Sequence, residues 1–200
     1  LLVFNRALIE TQPLSFEYDF LGLDNRAGTR AATEHLLSLG HRRIAFYGGH
    51  ADSSSCRERR LGYQDALREA GIVADEAWMI ETAPTRLEAY ARAEVLCRLD
   101  LMPTGAVCYN DAVALGLMLG LTRLGRHPGV DFAITGFDDI PEAAVGIPPL
   151  TTMSADPRAR GRQAAELLLQ RAANPTLPRR SIIVPVQLTQ RESTAHIPSA

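Results

Sequence analysis

The sequence predicts an α/β protein with doubly wound, mainly parallel sheets. Two observations carry that expectation. Short apolar runs rich in β-formers alternate almost throughout with longer segments of helical periodicity, as in strands buried on both faces by crossover helices. The 200 residues are 46% hydrophobic and 22% charged, so roughly 70% of the unfolded chain's surface can be buried without a disulfide or metal staple. No internal repeat or low-complexity tract breaks the alternation.

Taken in order, residues 1–4 (LLVF) read as a strand and residues 20–23 as a second. Residues 28–39 place Ala31, Ala32, His35, Leu36 and Leu39 along one helical face, with Gly40 as the stop. A strand over 43–47 feeds the turn Gly48-Gly49-His50. Ser55 then reads as the cap of a helix to Ala70, with Glu58 completing a capping box and Gly71 terminating it. Next come a strand near 78–80, a helix over about 85–99 and a strand over 106–109. Asn110 or Asp111 caps the following helix, which runs to Leu124 with Gly125 as its stop. Residues 132–135 form a further strand ending in Gly136-Phe137-Asp138-Asp139. A turn at Pro148-Pro149 leads into a strand over 151–154. Pro157 suits the first turn of a helix to Ala172, residues 174–178 read as a linker, and 182–188 as the last long strand.

Composition excludes several function classes. The net charge is −2 and the pI near 6.2, so no bulk positive charge marks a nucleic-acid or membrane-surface binder. No apolar run approaches the ~18 residues of a membrane span, and the first residues lack the pattern of a secretory leader. The expectation is a soluble, cytoplasmic chain. Cys56, Cys97 and Cys108 are odd in number and lack CxxC spacing, which fits reduced thiols. All 21 basic residues are arginine. That excludes a phosphate-loop lysine and a Schiff-base lysine.

In open parallel sheets, ligands bind beyond the carboxyl ends of the strands. Three strand exits carry more polar residues than a connecting loop needs: the stretch 48–60 with Arg57, Arg59 and Arg60, the pair Asn110-Asp111, and the pair Asp138-Asp139. A guanidinium supplies donors, an amide both donor and acceptor, and a carboxylate acceptors. The set suits a small neutral polyol or sugar, and suits a nucleotide poorly without a lysine or glycine-rich phosphate loop. Each member also has a structural reading: Asn110 or Asp111 as a helix cap, Arg57 and Arg60 as solvated helix surface, Asp138-Asp139 as a turn. Their convergence on one sheet edge favours the functional reading.

Enzyme signatures fail. GxSxG, HExxH and GxGxxG do not occur, and the five histidines lack metal-ligand spacing. No enzyme, cofactor or metal is therefore expected; an enzyme would have to divide acid and base roles between Asp138 and Asp111. Arg158, Arg160 and Arg162 read as the wet face of an amphipathic helix, with no aromatic residues interleaved for stacking on nucleic acid. The stretch 112–121 (AVALGLMLGL) is apolar on every side. Such a helix must be covered on both faces, most simply by a partner subunit over 112–124, with burial inside its own lobe as the alternative.

These stretches together resemble the effector-sensing core of the lac and galactose repressor family of bacterial transcription regulators. The matching residues are Leu23-Asp24-Asn25, Leu36 to Ala45 (LLSLGHRRIA), Arg59-Arg60-Leu61-Gly62-Tyr63, Pro103-Thr104-Gly105-Ala106, Tyr109-Asn110-Asp111, Ile134 to Asp139 (ITGFDD), Pro148 to Met153 (PPLTTM), Gly161 with Ala164-Ala165, and Leu188 to Ser193 (LTQRES). They span the chain in the family's order. The resemblance implies a two-lobed, periplasmic-binding-protein-like fold with a sugar-like effector in the cleft, working as a homodimer. It implies operator DNA contact only through a helix-turn-helix headpiece that is not among these residues. By motif, Arg59, Asn110 and Asp138 are the implied effector ligands, with Asp24 a further candidate. It also implies a first lobe that is incomplete here, made of 1–40 plus 157–180, and a second lobe of 41–156 plus 181–200. Residues 1 to about 40 are then expected to be poorly packed, rearranged or covered by another chain. A solute-binding protein for sugar transport shares the fold and is the alternative reading.

Overall fold

The computed structural model describes residues 2–4 and 18–194. Their strands form two sheets. The smaller is wholly parallel, in the order β1 (Leu2–Phe4), β2 (Asp19–Leu23), β8 (Ser181–Val184). The larger has the order β4 (Met79–Ile80), β3 (Ile44–Tyr47), β5 (Gly105–Cys108), β6 (Ala133–Phe137), β7 (Thr151–Ser154), β9 (Gln187–Thr189). Only β9 runs antiparallel, against β7. The α/β class with parallel sheets is as the sequence predicts.

The larger sheet is covered on both faces. Because strand side chains alternate, Ile44, Phe46, Val107 and Ala133 turn to one side, where α1 (Asn25–Ser38) and α2 (Ser54–Glu69) supply Ala32, Leu36, Tyr63 and Leu67. Ala45, Tyr47, Ala106 and Ile134 turn to the other, against α3 (Arg86–Arg92), the single turn α4 (Glu94–Cys97) and α5 (Asp111–Arg123). A short α6 (Pro141–Val145) follows β6, and α7 (Pro157–Ala173) lies against the small sheet, where Arg171 and the carbonyl of Leu167 hold Asp19 and Arg180.

Both helix pairs cross at distances that only glycine admits. A Cβ on Gly62 of α2 would stand 2.1 Å from the Arg26 carbonyl oxygen of α1. On α5, a Cβ at Gly116 would stand 2.2 Å from the Arg86 carbonyl oxygen, and one at Gly120 2.4 Å from Ala93 Cβ. The all-round apolar helix is therefore covered within its own lobe, by the sheet on one side and by α3 and Ala93 on another. This corrects the expectation that a partner subunit is its main cover.

Other expectations change as well. The helix after Asp24 begins at Asn25 and packs on the larger sheet, so the expected 1–40 segment of the first lobe is divided at Asp24. Residues 18–40 are well packed, with Leu21, Leu23, Ala32 and Leu36 buried; the remaining residues of the expected weak segment, 1 and 5–17, lie outside the described residues. The expected long strand over 182–188 is two strands in different sheets. Pro185, which has no N–H for a ladder, separates β8 from β9 and carries the chain across. Ser181 to Val184 thus belong with the small sheet rather than the second lobe. The expected 85–99 helix breaks at Ala93. Ser53, not Ser55, caps α2, and Asn110 rather than Asp111 caps α5.

Candidate ligand site

β5 lies between β3 and β6, so the exits of these three neighbouring parallel strands share one edge. Tyr109-Asn110 leaves β5, Asp138-Asp139 leaves β6, and the Gly48-Gly49 turn leaves β3 towards α2. Gly49 (φ +83) lets that turn close: a Cβ there would stand 2.7 Å from Cys56 Sγ. The second turn of α2 then delivers Arg59 over the edge.

Arg59 is 3% exposed and organises the site. Its Nε donates to Asn25 Oδ1 at 2.8 Å, one Nη donates to the Tyr109 carbonyl, and the other lies 3.5 Å from Asp138 Oδ1. The guanidinium stacks 3.6 Å from the Phe137 ring centroid, with the Tyr109 ring at 4.9 Å. A buried cation needs such partners, because removing it from water is costly otherwise. Burial lowers the Arg59 pKa, and the Asp138 charge opposes that shift.

Asp138 and Asp139 have φ of +117° and +54°. Both lie in the region that L side chains rarely adopt, at a strain of order 1–3 kcal/mol each. The turn is held in place by its surroundings. Asp138 N–H donates to the Met153 carbonyl at 2.9 Å, and Ile140 N–H to Asp111 Oδ2 at 2.9 Å. Arg191 grips Asp139 Oδ1 at 2.7 Å and the Leu150 carbonyl at 2.8 Å. Asp111 is fully buried and also accepts from the Thr152 hydroxyl at 2.5 Å. Burial lifts its carboxyl to about 6, against the pull of those two hydrogen bonds. Burial likewise raises the Asp138 carboxyl, with Arg59 and then Arg160 pulling it back.

Asn110 fulfils its structural reading, since its Oδ1 accepts from Val113 N–H at 2.9 Å. Its amide nitrogen has no protein partner among the described residues. Asp24 likewise caps α1 through Ala27 N–H at 3.0 Å. It faces a neighbouring cleft of about 400 Å³, lined by Phe20, Asn25, Ser54, Ser55 and Ile183 among others, between the small sheet and the first turns of α1 and α2. Arg59, Asn110 and Asp138 are therefore gathered at one edge, and Asp24 lies beside them across Asn25. Arg57 is exposed and lines the same cleft as Asp24, whereas Arg60 sits 3.8 Å from Met79 Sδ, away from this group.

Sequence reasoning missed several contributors. Asn25 adjoins Asp24 at a strand exit, which was the available signal. Ser55, read as a cap, instead links Ser53 Oγ at 3.0 Å to the Tyr109 hydroxyl at 2.9 Å. Nothing local marks Arg191 or Asp111 as the clamps of the Asp138 turn. Arg160, expected on a wet helix face, acts electrostatically on Asp138.

Residues 33–194 match the family described as periplasmic binding protein-like domain. The chain belongs to the LacI/PurR family through this domain. An HTH-type transcriptional repressor PurR from Vibrio atlanticus is 36% identical to this domain over 166 residues, 83% of the chain and 50% of that relative. The chain thus spans about half the length of the curated relatives it matches. A transcriptional regulator CelR–cellobiose complex superposes with a TM-score of 0.86 at 30% identity, covering 96% of this chain and 58% of that one. The lac repressor dimer bound to operator and an anti-inducer superposes with a TM-score of 0.80 at 28% identity, covering 90% and 64%. Among the described residues of this LacI-type domain, no helix is long and apolar enough to cross a membrane.

Proposed function

We propose that this domain senses a small sugar-like effector and dimerises within a cytoplasmic transcriptional regulator, modulating operator binding through a headpiece outside these residues. The observation that carries the reading is the Arg59 assembly. Arg59 reaches Asp138 Oδ1 and the Tyr109 carbonyl, and Asn110, the next residue in the chain, leaves the same sheet edge with its amide nitrogen unengaged among the described residues. Hydroxyls, which both donate and accept, complement that set. Phe137 and Tyr109 are buried and each turns a ring face to Arg59, which leaves little aromatic platform at this edge for a flat ligand. Asp24 is the candidate contact from the adjoining cleft.

The domain is read as working by binding. Both oxygens of Asp111 accept hydrogen bonds, from Ile140 N–H and the Thr152 hydroxyl, which disfavours the division of acid and base roles between Asp138 and Asp111 that an enzyme reading requires. An effector acts by favouring one arrangement of the lobes, a coupling of typically ~1–3 kcal/mol. The family of the relatives favours a regulator over a transport receptor. The self-partner surface is the edge of α5 that α3 leaves open: Leu119, Val145 and Ile147 are exposed beside Leu115 and Met118.

A thermal-shift panel of mono- and disaccharides on the full-length protein tests the reading, because a ligand of the native state raises the melting temperature. A sugar that shifts the wild-type protein is expected to leave Arg59→Ala unmoved, with the far-ultraviolet spectrum retained. Operator release that proceeds normally in Arg59→Ala would sink the assignment. Sedimentation is expected to give a dimer that Leu119→Arg converts to monomer.

A further inference from the structure

We infer that Asn25 is a positioning residue that connects the Arg59–Asp138 pair to the crossover between the two sheets. The inference rests on the proposed effector site and names the path by which that site reaches the lobe junction. The chain passes between the sheets at Leu23–Asn25, at Ser154–Pro157 and at Val184–Gln187. Of these, the first sits directly on the site's cation.

Asn25 is 8% exposed and both ends of its amide are engaged. Its Oδ1 accepts from Arg59 Nε at 2.8 Å, and its Nδ2 donates back to the Leu23 carbonyl at 3.2 Å. The next residue back, Asp24, donates its N–H to the Val184 carbonyl of β8 at 2.9 Å and accepts from Ala27 N–H of α1. One amide side chain therefore stands between a guanidinium in the larger sheet's site and the last residue of a strand in the smaller sheet.

The other end of the guanidinium is the adjustable one. Its approach to Asp138 Oδ1, at 3.5 Å, is long for a charge-assisted hydrogen bond, whereas the Asn25 contact is at ordinary length. A ligand hydroxyl that engages Asp138 competes for the same Nη group. Arg59 is packed between two rings and tethered at Tyr109 O, so its remaining freedom is a tilt that moves Nε against Asn25. Asn25 turns that tilt into a change at the Leu23 carbonyl and so at the crossover. Asn25→Asp keeps the acceptor for Arg59 Nε and loses the donor to Leu23, whereas Asn25→Ala loses both.

The test is a double-mutant cycle read by amide hydrogen exchange in ligand-free, full-length protein, at the Asp24, Ala27 and Gly28 amides. Asp138→Asn, which removes the carboxylate charge, is expected to change exchange at these amides by about fivefold or more, the lower end of typical coupling. In the Asn25→Ala background the same substitution is expected to change nothing further. Asn25→Ser serves if Asn25→Ala fails to fold. Asp65→Asn is the control, because it breaks the Arg26–Asp65 contact at 2.6 Å between α1 and α2 without touching Arg59; its effect is expected to add to that of Asp138→Asn. The inference is overturned if Asp138→Asn leaves the crossover amides unchanged, or if its effect persists undiminished without Asn25. No effector enters the measurement, so a failed sugar screen and a failed cycle are separate results.

Discussion

The two sheets are stabilised by different physics. The larger buries apolar side chains on both faces and closes its helix pairs through Gly62, Gly116 and Gly120. The smaller buries an ion cluster. Asp19, 1% exposed on β2, accepts from Arg171 at 2.8 and 3.1 Å, from the Arg180 side chain at 3.0 Å, and from Arg180 N–H at 2.9 Å. That cluster ties β2, α7 and the entry to β8 together, while α7 itself buries only Leu167. Arg59, Asn110 and Asp138 stand on the sheet with the apolar core and Asp24 at the exit of β2 in the smaller sheet, and that smaller sheet depends on charge.

The sharpest way to break this contrast is at Asp19. Asp19→Ala leaves two arginines without their shared anion, and losing one side of a buried ionic group costs about 3–5 kcal/mol. The loss is expected to be local: amides of Leu21 to Leu23 should exchange faster and the small sheet should become protease-sensitive, with β5 and β6 keeping their protection. Uniform loss across both sheets in hydrogen exchange would mean that they fold as one cooperative unit.

The next test uses one kind of substitution in both regions and expects opposite signs. Gly62→Ala and Gly116→Ala each push a methyl to within 2.2 Å of a carbonyl oxygen. Overpacking of this kind costs about 1–3 kcal/mol. Gly161 lies in α7 with nothing within 4 Å of an added Cβ, so Gly161→Ala is expected to stabilise by up to ~1 kcal/mol through helix propensity. Urea midpoints of the three variants check both signs together.

Much of this arrangement is legible in the sequence because periodicity reports burial. The strands read at 43–47, 106–109 and 151–154 and the helices read from Ser55, from Asn110 or Asp111, and from Pro157 all occur within one or two residues of those positions. Three exits rich in polar groups pointed to Arg59, Asn110 and Asp138, since parallel strands put their carboxyl ends on one edge. What pattern does not encode is partnership. Nothing local tells which sheet α1 joins, because Leu23-Asp24-Asn25 carries no glycine or proline to mark a crossing. Ser55 with Glu58 three residues on reads as the α2 cap, whereas the fold selects Ser53, two residues earlier in the same run of serines. The Gly116 and Gly120 spacing admits a close neighbour, yet that the neighbour is α3 rather than a second subunit depends on contacts 27 to 30 residues distant in sequence. The Arg59–Asn25 contact, 34 residues apart, is of the same kind.

A last difference separates the sheets by pH. The two arginines hold Asp19 well below the ordinary carboxylate range, whereas burial lifts Asp111 to about 6. An unfolded aspartate titrates near ~3.9. Asp19 therefore stabilises the fold above that value, and its contribution is lost as pH falls towards its folded pKa. Asp111 has the opposite sign. Its contribution is complete below about 4, when the carboxyl is protonated in both states, and is lost as pH rises through about 6. Acidification from pH 6.5 to 4.5 should then strengthen the β5–β6–β7 exits by on the order of 2 kcal/mol, with Ile140 N–H better protected and the small sheet unaffected. Below pH 4 the small sheet should open first. Asp111→Asn keeps an acceptor for Ile140 N–H and a donor for Thr152, so it mimics the protonated form and should flatten the upper limb alone. An unchanged slope in that variant would show that Asp111 is not the source of the upper limb, and would leave the ionic small sheet as the sole pH-sensitive half attributable to a buried clamp.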